Sequence, residues 1–495
     1  MMRILAKHGD EMDILALPNE TVKKGEYLSI EEGSDLRTLL IQAYEETYMD
    51  APGVDEEILR DELFHPEVSK IDDPNELQSV SYMIKDARVL RCKIRASIDG
   101  QTLSHDVNWL PSRAQNRIQR FPYDKMIRYV SRPEAHRIEL GNTIGGEGFG
   151  IDCEDLDGRL TIITGKKESG KSHLSKLLIS GLIAHGAYVV VFDINGEYGG
   201  ISFNKDGGPS PFIDRVKNFQ AGSNLGFSLK YLGKRVFIDI LSHALDTPSI
   251  TVREFMKIWD HLVANGRLNM RGLYDAILNW QSNEMVKNAL LSRYYSLMST
   301  RLFTDSEISA VDFKDTISQF PSGVAMIFSL PTISSLSRRI LVQIVLTKLL
   351  DLLEGKEIPP IFLFAEEAHL YLRDTYWEDL ITRMRHYGIF TTFITNQPDA
   401  LGPSVYRQAD NIFLFNFTNE RDLEMIAQAA IVDADTVKGI VRTLPRRHCL
   451  ALGKVVAELP VTVSVRDTQF VTLGSTRLFF NGPTPIEPPI NHSKT

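Results

Sequence analysis

A chain of 495 residues that is 43% hydrophobic and 24% charged is that of a soluble, globular protein with material for two or three packed domains. Its net charge of −9 excludes a nucleic-acid binder that grips over a broad basic outer face, so any such site must be local. Three widely spaced cysteines, Cys92, Cys153 and Cys449, fit neither a disulfide framework nor a zinc cluster and point to a reducing, cytoplasmic setting. The opening MMRILAKHGDEMD has no apolar signal-peptide core. The run Leu341 to Leu353 is interrupted by Gln343, Lys348 and Asp351 as a packed helix would be, so no membrane span is expected.

In chain order, the first 32 residues alternate apolar and polar runs punctuated by turns at His8-Gly-Asp10, Pro18-Asn19 and Lys24-Gly25, the pattern of a small β-barrel. Residues 35–65, with Leu36, Leu39, Leu40 and Tyr44 at helical spacing, are expected to form a helical insertion. Its acids (Asp35, Glu45, Glu46, Asp50, Asp55, Glu56, Glu57, Asp61, Glu62) would make a negative face. Strand-like alternation returns over 81–110, which closes an N-terminal domain at 1–110. A loop-rich connector, 111–150, ends in Gly145-Gly-Glu-Gly-Phe-Gly150. That run superficially resembles a dinucleotide fingerprint, but no strand leads into it, and a flexible linker is the expectation.

From 151 to 470 strands and helices alternate as a parallel sheet requires. Short apolar runs at 160–164, 188–192, 236–240, 325–330, 361–364, 391–395 and 412–415 read as buried strands, and 251–302 as a helical insertion. Strands are also expected at 449–456 and 460–465, and a proline-rich arm over 471–495.

The chemistry starts at Gly165-Lys166-Lys167-Glu168-Ser169-Gly170-Lys171-Ser172, a complete phosphate loop between a β-branched strand and a helix with Leu174, Leu177, Leu178 and Leu182. Its backbone N–H groups and helix N-terminus converge on phosphate. Lys171 would reach the β/γ-phosphates, Ser172 would ligate Mg2+, and His173 completes the ATP-binding stretch. The strand at 361–364 delivers Glu366 and Glu367 to its tip. Glu366 is the candidate partner of Mg2+ through water, and Glu367 the candidate general base. Gln397, after the next strand, is a candidate γ-phosphate sensor, and Asp193 and Glu197 add carboxylates to the same rim. Lys205, Lys217, Lys230 and Lys234, in the irregular region that follows, are candidates for contacts to DNA.

GKKESGKS, DINGEY, FAEEAH, RHYGIFTTFITNQPDAL and Tyr406-Arg-Gln-Ala-Asp410, in this order, resemble the HerA branch of the HerA/FtsK family of hexameric DNA-translocating ATPases. The resemblance spans roughly 135–465, and Val22-Lys-Lys-Gly25-Glu-Tyr27 is similar to that family's barrel. It implies an α/β, RecA-like P-loop NTPase core and a homo-oligomeric ring, ATP between subunits, and double-stranded DNA in the pore. It further implies that Arg385, or else Arg383, reaches the neighbour's γ-phosphate, and that Asp193 and Arg159 help form the active site.

Two departures stand out: Glu366-Glu367 replaces the usual Asp-Glu, and Asn396-Gln397-Pro398 lacks the arginine usual in the sensor motif. The expected function is an ATP-driven DNA translocase or helicase. It would work with a separate nuclease or an antiphage effector docked on the barrel; the alternative is an oligomeric scaffold that regulates an effector such as a sirtuin-like NADase, with slow ATP turnover.

Overall fold

In this computed structural model the described residues are 2–32, 37–49, 86–130, 136–306, 310–371, 380–417, 419–429 and 433–473. Two sheets organise them. The first contains β1 (Met2–His8), β2 (Glu11–Ala16), β3 (Tyr27–Glu32), β4 (Arg37–Tyr48), β5 (Arg88–Asp99), β6 (Thr102–Ser104) and β7 (Asn116–Arg120). The spatial order is β1-β2-β5-β4-β3-β7, with β6 beside β5 and every pairing antiparallel. β7 returns close to β1, so the sheet curls toward closure as a small barrel. Alternate residues fill its interior: Met12 and Ile14 of β2, Leu28 and Ile30 of β3, Leu39 and Ile41 of β4.

This corrects the helical reading of residues 35–65 wherever that segment is described. Residues 37–48 are strand, because Leu39 to Tyr44 are buried on both faces between β3 and β5, a pattern whose apolar spacing mimics a helix. Glu45 and Glu46 do not form a free acidic face: they pair with Arg91 at 3.0 Å and Arg88 at 2.5 Å on β5. The remaining acids named above, Asp35 and those from Asp50 to Glu62, lie outside the described residues.

The second sheet has eleven strands. β12 (Val216–Gln220), β13 (Val324–Ser329), β11 (Tyr188–Asp193), β14 (Ile361–Glu366), β15 (Ile389–Thr395), β10 (Thr161–Thr164) and β16 (Asn411–Phe415) lie parallel in that spatial order. Four antiparallel strands extend it: β17 (His448–Gly453), β18 (Val461–Val465), β8 (Arg137–Thr143) and β9 (Gly148–Asp152). Six of these parallel strands are buried along nearly their whole length, as in a sheet covered on both faces, while the edge strand β12 mixes buried and exposed residues. The result is an α/β P-loop core with a mainly parallel sheet.

The connector expectation changes. α1 (Tyr123–Val130) follows β7, and the glycine run supplies the turn of the β8–β9 hairpin and the start of β9. Thr143 N–H donates to Glu147 O at 2.7 Å, and Gly146 takes φ 97°, a left-handed conformation that glycine adopts without strain. The barrel sheet therefore runs to Arg120 and the core sheet starts at Arg137.

Residues 236–240 are not a strand: they fall in α3 (Leu229–Asp239) and the helical turn after it, and no strand ladder includes them. The expected helical insertion is present as α4 (Ser249–Ala264), α5 (Met270–Asn279) and α6 (Glu284–Ser299). α7 (Ser335–Glu354) is buried without a break from Ile340 to Thr347. Gln343 fits there because its amide donates to Thr347 Oγ1 at 2.8 Å. No helix among the described residues is long and apolar enough to cross a membrane. The three cysteines are free, with Cys92 and Cys449 buried.

The barrel is seated on the core. Tyr27 OH and Gln42 Nε2 both donate to Pro460 O, at 3.0 and 2.8 Å. Arg95 donates to Asp433 Oδ2 at 2.9 Å and to Thr436 Oγ1 at 2.5 Å, at the start of α8 (Ala434–Val441).

Candidate functional site

The parallel register sets the site. Thr164 pairs with Thr395, Glu366 with Ile394 and Phe192 with Ala365, so the C-terminal tips of β10, β15, β14 and β11 form one rim. Open α/β sheets bind ligands at such an edge. The phosphate loop, the acidic pair, Gln397 and the Asp193–Glu197 turn all lie there.

Two glycines allow the loop its tight path. Gly165 (φ 156°) packs so closely on Phe415 that a Cβ would collide, and Gly170 (φ 122°) enters α2 (Lys171–Ala184) against Arg447. Lys171 Nζ donates to Gly165 O at 2.7 Å and Lys166 O at 2.9 Å, bridging the loop that would cradle a phosphate. Burial lowers the Lys171 ammonium pKa, while Glu367 and Glu366 oppose the shift. Ser169 is buried, and its Oγ finds no hydrogen-bond partner among the described residues.

Lys166, Lys167 and Glu168 are exposed; Glu168 pairs with Arg446 at 3.0 Å. Ser172 is half-buried in the first turn of α2. His173 pairs with Asp467 at 3.4 Å, and burial first, then Arg447, lowers its imidazole pKa.

The two glutamates occupy different environments. Glu366 receives Asn195 Nδ2 at 2.9 Å, and burial, reinforced by Asp193 and Glu197, pushes its carboxyl up to about 8. Glu367 takes a left-handed backbone (φ 45°, ψ 48°), and its N–H donates to Ile394 O at 2.7 Å. Its carboxylate accepts from Thr395 Oγ1 at 2.9 Å and from the Asn396 N–H at 3.1 Å, with His369 Nδ1 at 3.6 Å. The neighbouring strand therefore aims this side chain. Gln397 is exposed, and its N–H donates to Thr395 Oγ1 at 3.0 Å.

Asp193 is committed to the turn it starts: its carboxylate accepts the N–H groups of Gly196, Glu197 and Tyr198 at 2.7, 3.0 and 3.0 Å. That network orders the loop from which Asn195 grips Glu366.

Sequence reasoning missed three contributors: Asn195, Thr395 and Lys176. Lys176 is buried in α2, where burial lowers its ammonium pKa against the pull of Glu197, Asp193 and Glu366. A lysine inside the apolar face of the helix after a phosphate loop was the available signal.

Arg385 and Arg159 are not brought to this rim. Arg385 precedes β15 and Arg159 precedes β10, so both sit at the N-terminal edge of the sheet. The seven residues of β15 span roughly 20 Å at about 3.3 Å each, more than an arginine side chain covers. Arg383 lies 3.4 Å from Glu354.

The lysines considered for DNA contact are spoken for within the chain. Lys205 pairs with Asp467 at 2.7 Å, Lys234 with Asp260 at 2.8 Å, and Lys217 lies over the Phe320 ring at 4.7 Å. Lys230 also has an interaction partner.

The family described as the central domain of the helicase HerA matches residues 138–349. The matched stretch is thus similar to that central domain, and it includes the phosphate loop. The DNA double-strand break repair helicase HerA of Saccharolobus solfataricus is 23% identical over 338 residues, 62% of this chain; the chain spans 64% of that relative's length. In fold, the chain is similar to the bacterial conjugative coupling protein TrwBdeltaN70 (TM-score 0.51, 13% identity, 72% of this chain and 93% of that one). It is also similar to VirB4 of Thermoanaerobacter pseudethanolicus (TM-score 0.50, 14% identity, 68% and 97%). The HerA-type match takes in the phosphate loop, the Asp193 turn and the α4–α6 insertion, and stops before β14. The acidic pair and Thr395 lie outside the matched stretch and are brought beside the phosphate loop by sheet register.

Proposed function

We propose that the chain is a cytoplasmic ATPase motor that assembles as a ring, hexameric in the family it resembles, and moves double-stranded DNA through the pore. The carrying observation is the juxtaposition of a complete phosphate loop with a glutamate, Glu367, held in place by Thr395 and Asn396 at the tip of the intervening strand. In this reading Lys171 leaves the Gly165 and Lys166 carbonyls for the terminal phosphates, and Glu367 orients the attacking water and accepts its proton.

Mg2+ fits the residues present. Ser172 and Glu366 are its candidate holders, and the crowding of Glu366 by Asp193 and Glu197 is a repulsion that a divalent cation would relieve. When bound, the cation neutralises charge on the phosphates.

The position of Arg385 at the far edge of the sheet supports a role in a neighbouring subunit's site, which would make the ring part of the catalytic machinery. DNA contacts would be local, in keeping with the net charge of −9. A separate nuclease or NADase-type effector would dock on the barrel, with residues 151–470 acting as the motor.

A second reading, an oligomeric scaffold that regulates an effector through slow turnover, draws on the resting state of the site. Lys171 is bound to its own loop and Glu366 holds a proton up to about pH 8. ATP hydrolysis measured with and without double-stranded DNA, on the chain alone and with the product of its neighbouring gene, separates the two. DNA stimulation is expected of the motor. A slow rate that responds only to the partner would favour the scaffold.

A further inference from the structure

We propose that Asp410 is the positioning residue for Arg385, holding its guanidinium for use by the adjacent subunit; this rests on the ring reading above. Arg385 Nε donates to Gly158 O at 2.5 Å, and one terminal nitrogen lies 3.1 Å from Asp410 Oδ2. No other hydrogen bond of this guanidinium is formed among the described residues, and the side chain is 37% exposed. An arginine has five N–H donors in a rigid fork, so donors remain for an incoming anion while two contacts fix the plane.

Asp410 is itself immobilised. Its Oδ2 accepts the Leu160 N–H at 2.9 Å, its own N–H donates to Leu160 O at 2.9 Å, and its carbonyl accepts the Lys454 N–H at 3.1 Å. The carboxylate is thus shared between the arginine and the residue immediately before β10. Four residues of strand, Thr161–Thr164, then run directly to the phosphate loop. Asp410 thereby joins the arginine that a subunit offers outward to the strand carrying that subunit's own nucleotide loop. An exposed ion pair adds little stability by itself, so the pair's main consequence is the orientation of Arg385.

The test is Asp410→Asn, whose side-chain carbonyl can still accept from Leu160 N–H while losing the charge. The expected result is unchanged assembly size, melting temperature and KM for ATP, with kcat reduced about tenfold, the effect of roughly 1.4 kcal/mol. The double variant with Arg385→Ala should be no slower than Arg385→Ala alone, since both remove one function. Mixing Asp410→Asn with Lys171→Ala subunits should recover turnover, because the first lesion falls on the neighbour's site and the second on its own. Multiplicative losses in the double variant, or no recovery in verified mixed rings, would overturn the proposal. So would loss of folding in both Asp410→Asn and the carboxylate-retaining Asp410→Glu, which would make the residue structural. Wild-type turnover in Arg385→Ala would instead remove the ring reading itself.

Discussion

Thr395 Oγ1 donates a hydrogen bond of 2.9 Å to Glu367 Oε2, tying the tip of β15 to the candidate base that follows β14. A hydrogen bond to a charged group is worth about 1.5 to 3 kcal/mol, most of it felt here as orientation. Thr395→Val keeps the side-chain outline and removes the donor. Hydrolysis should fall about tenfold or more with ATP affinity unchanged. An undiminished kcat would show that Asn396 alone aims the glutamate.

Lys171→Ala and Glu367→Gln should both abolish turnover, for different reasons. In the proposed reading the lysine would supply charge to the phosphates, so its loss should weaken ATP binding as well; the glutamine would still fill the pocket but could not accept a proton, so ATP should stay bound and uncleaved. Nucleotide-binding titrations of the two variants distinguish them. Hydrolysis at the wild-type rate in Glu367→Gln would move the base elsewhere.

Arg385→Ala should assemble and bind ATP yet lose turnover by about 10³-fold or more, the scale of arginine fingers in phosphoryl transfer. Steady-state ATPase rates on the sized oligomer measure this. A loss of ATP affinity in place of kcat would indicate that the residue supports the fold of its own chain.

Glu366 predicts a pH dependence of stability in the nucleotide-free protein. Its carboxyl is raised from 4.5 to about 8 in the folded chain, chiefly by burial. Between those values the native state holds a proton that the unfolded chain has released, so stability falls as pH rises through the window. With a chelator present, thermal unfolding between pH 5 and 8 should slope downward in the wild type and less steeply in Glu366→Gln. Identical slopes would mean that Asn195 and solvent already stabilise the ionised form.

Arg95 links the barrel to the core through Asp433 and Thr436, with its Nε held by Gln42 of the barrel. Arg95→Ala leaves Asp433 with Lys93 at 3.9 Å as its remaining cation among the described residues. A cost of roughly 2 kcal/mol is expected, below the about 3 to 5 of fully buried pairs. Denaturant unfolding would show the lower midpoint, and an unchanged one would mean that the Tyr27 and Gln42 contacts to Pro460 carry the junction.

What the sequence determined alone was local. Gly165 to Ser172 specify a phosphate loop because the spacing of glycine, lysine and serine matches one backbone path, and the short, β-branched and aromatic apolar runs at 188–192, 361–364 and 391–395 form buried strands, as a sheet covered on both faces favours. Pairing and burial were decided by the tertiary structure. Leu39 to Tyr44 satisfy helical and two-sided strand patterns equally, and the ladders to β3 and β5 chose the strand; Val236 to Ile240 lacked such partners and stayed helical. The same holds within the site. Asn195 on Glu366, Thr395 on Glu367 and Asp410 on Arg385 join residues separated by 171, 28 and 25 positions. No periodicity encodes such contacts, because they exist only once the parallel register has set the strand tips side by side.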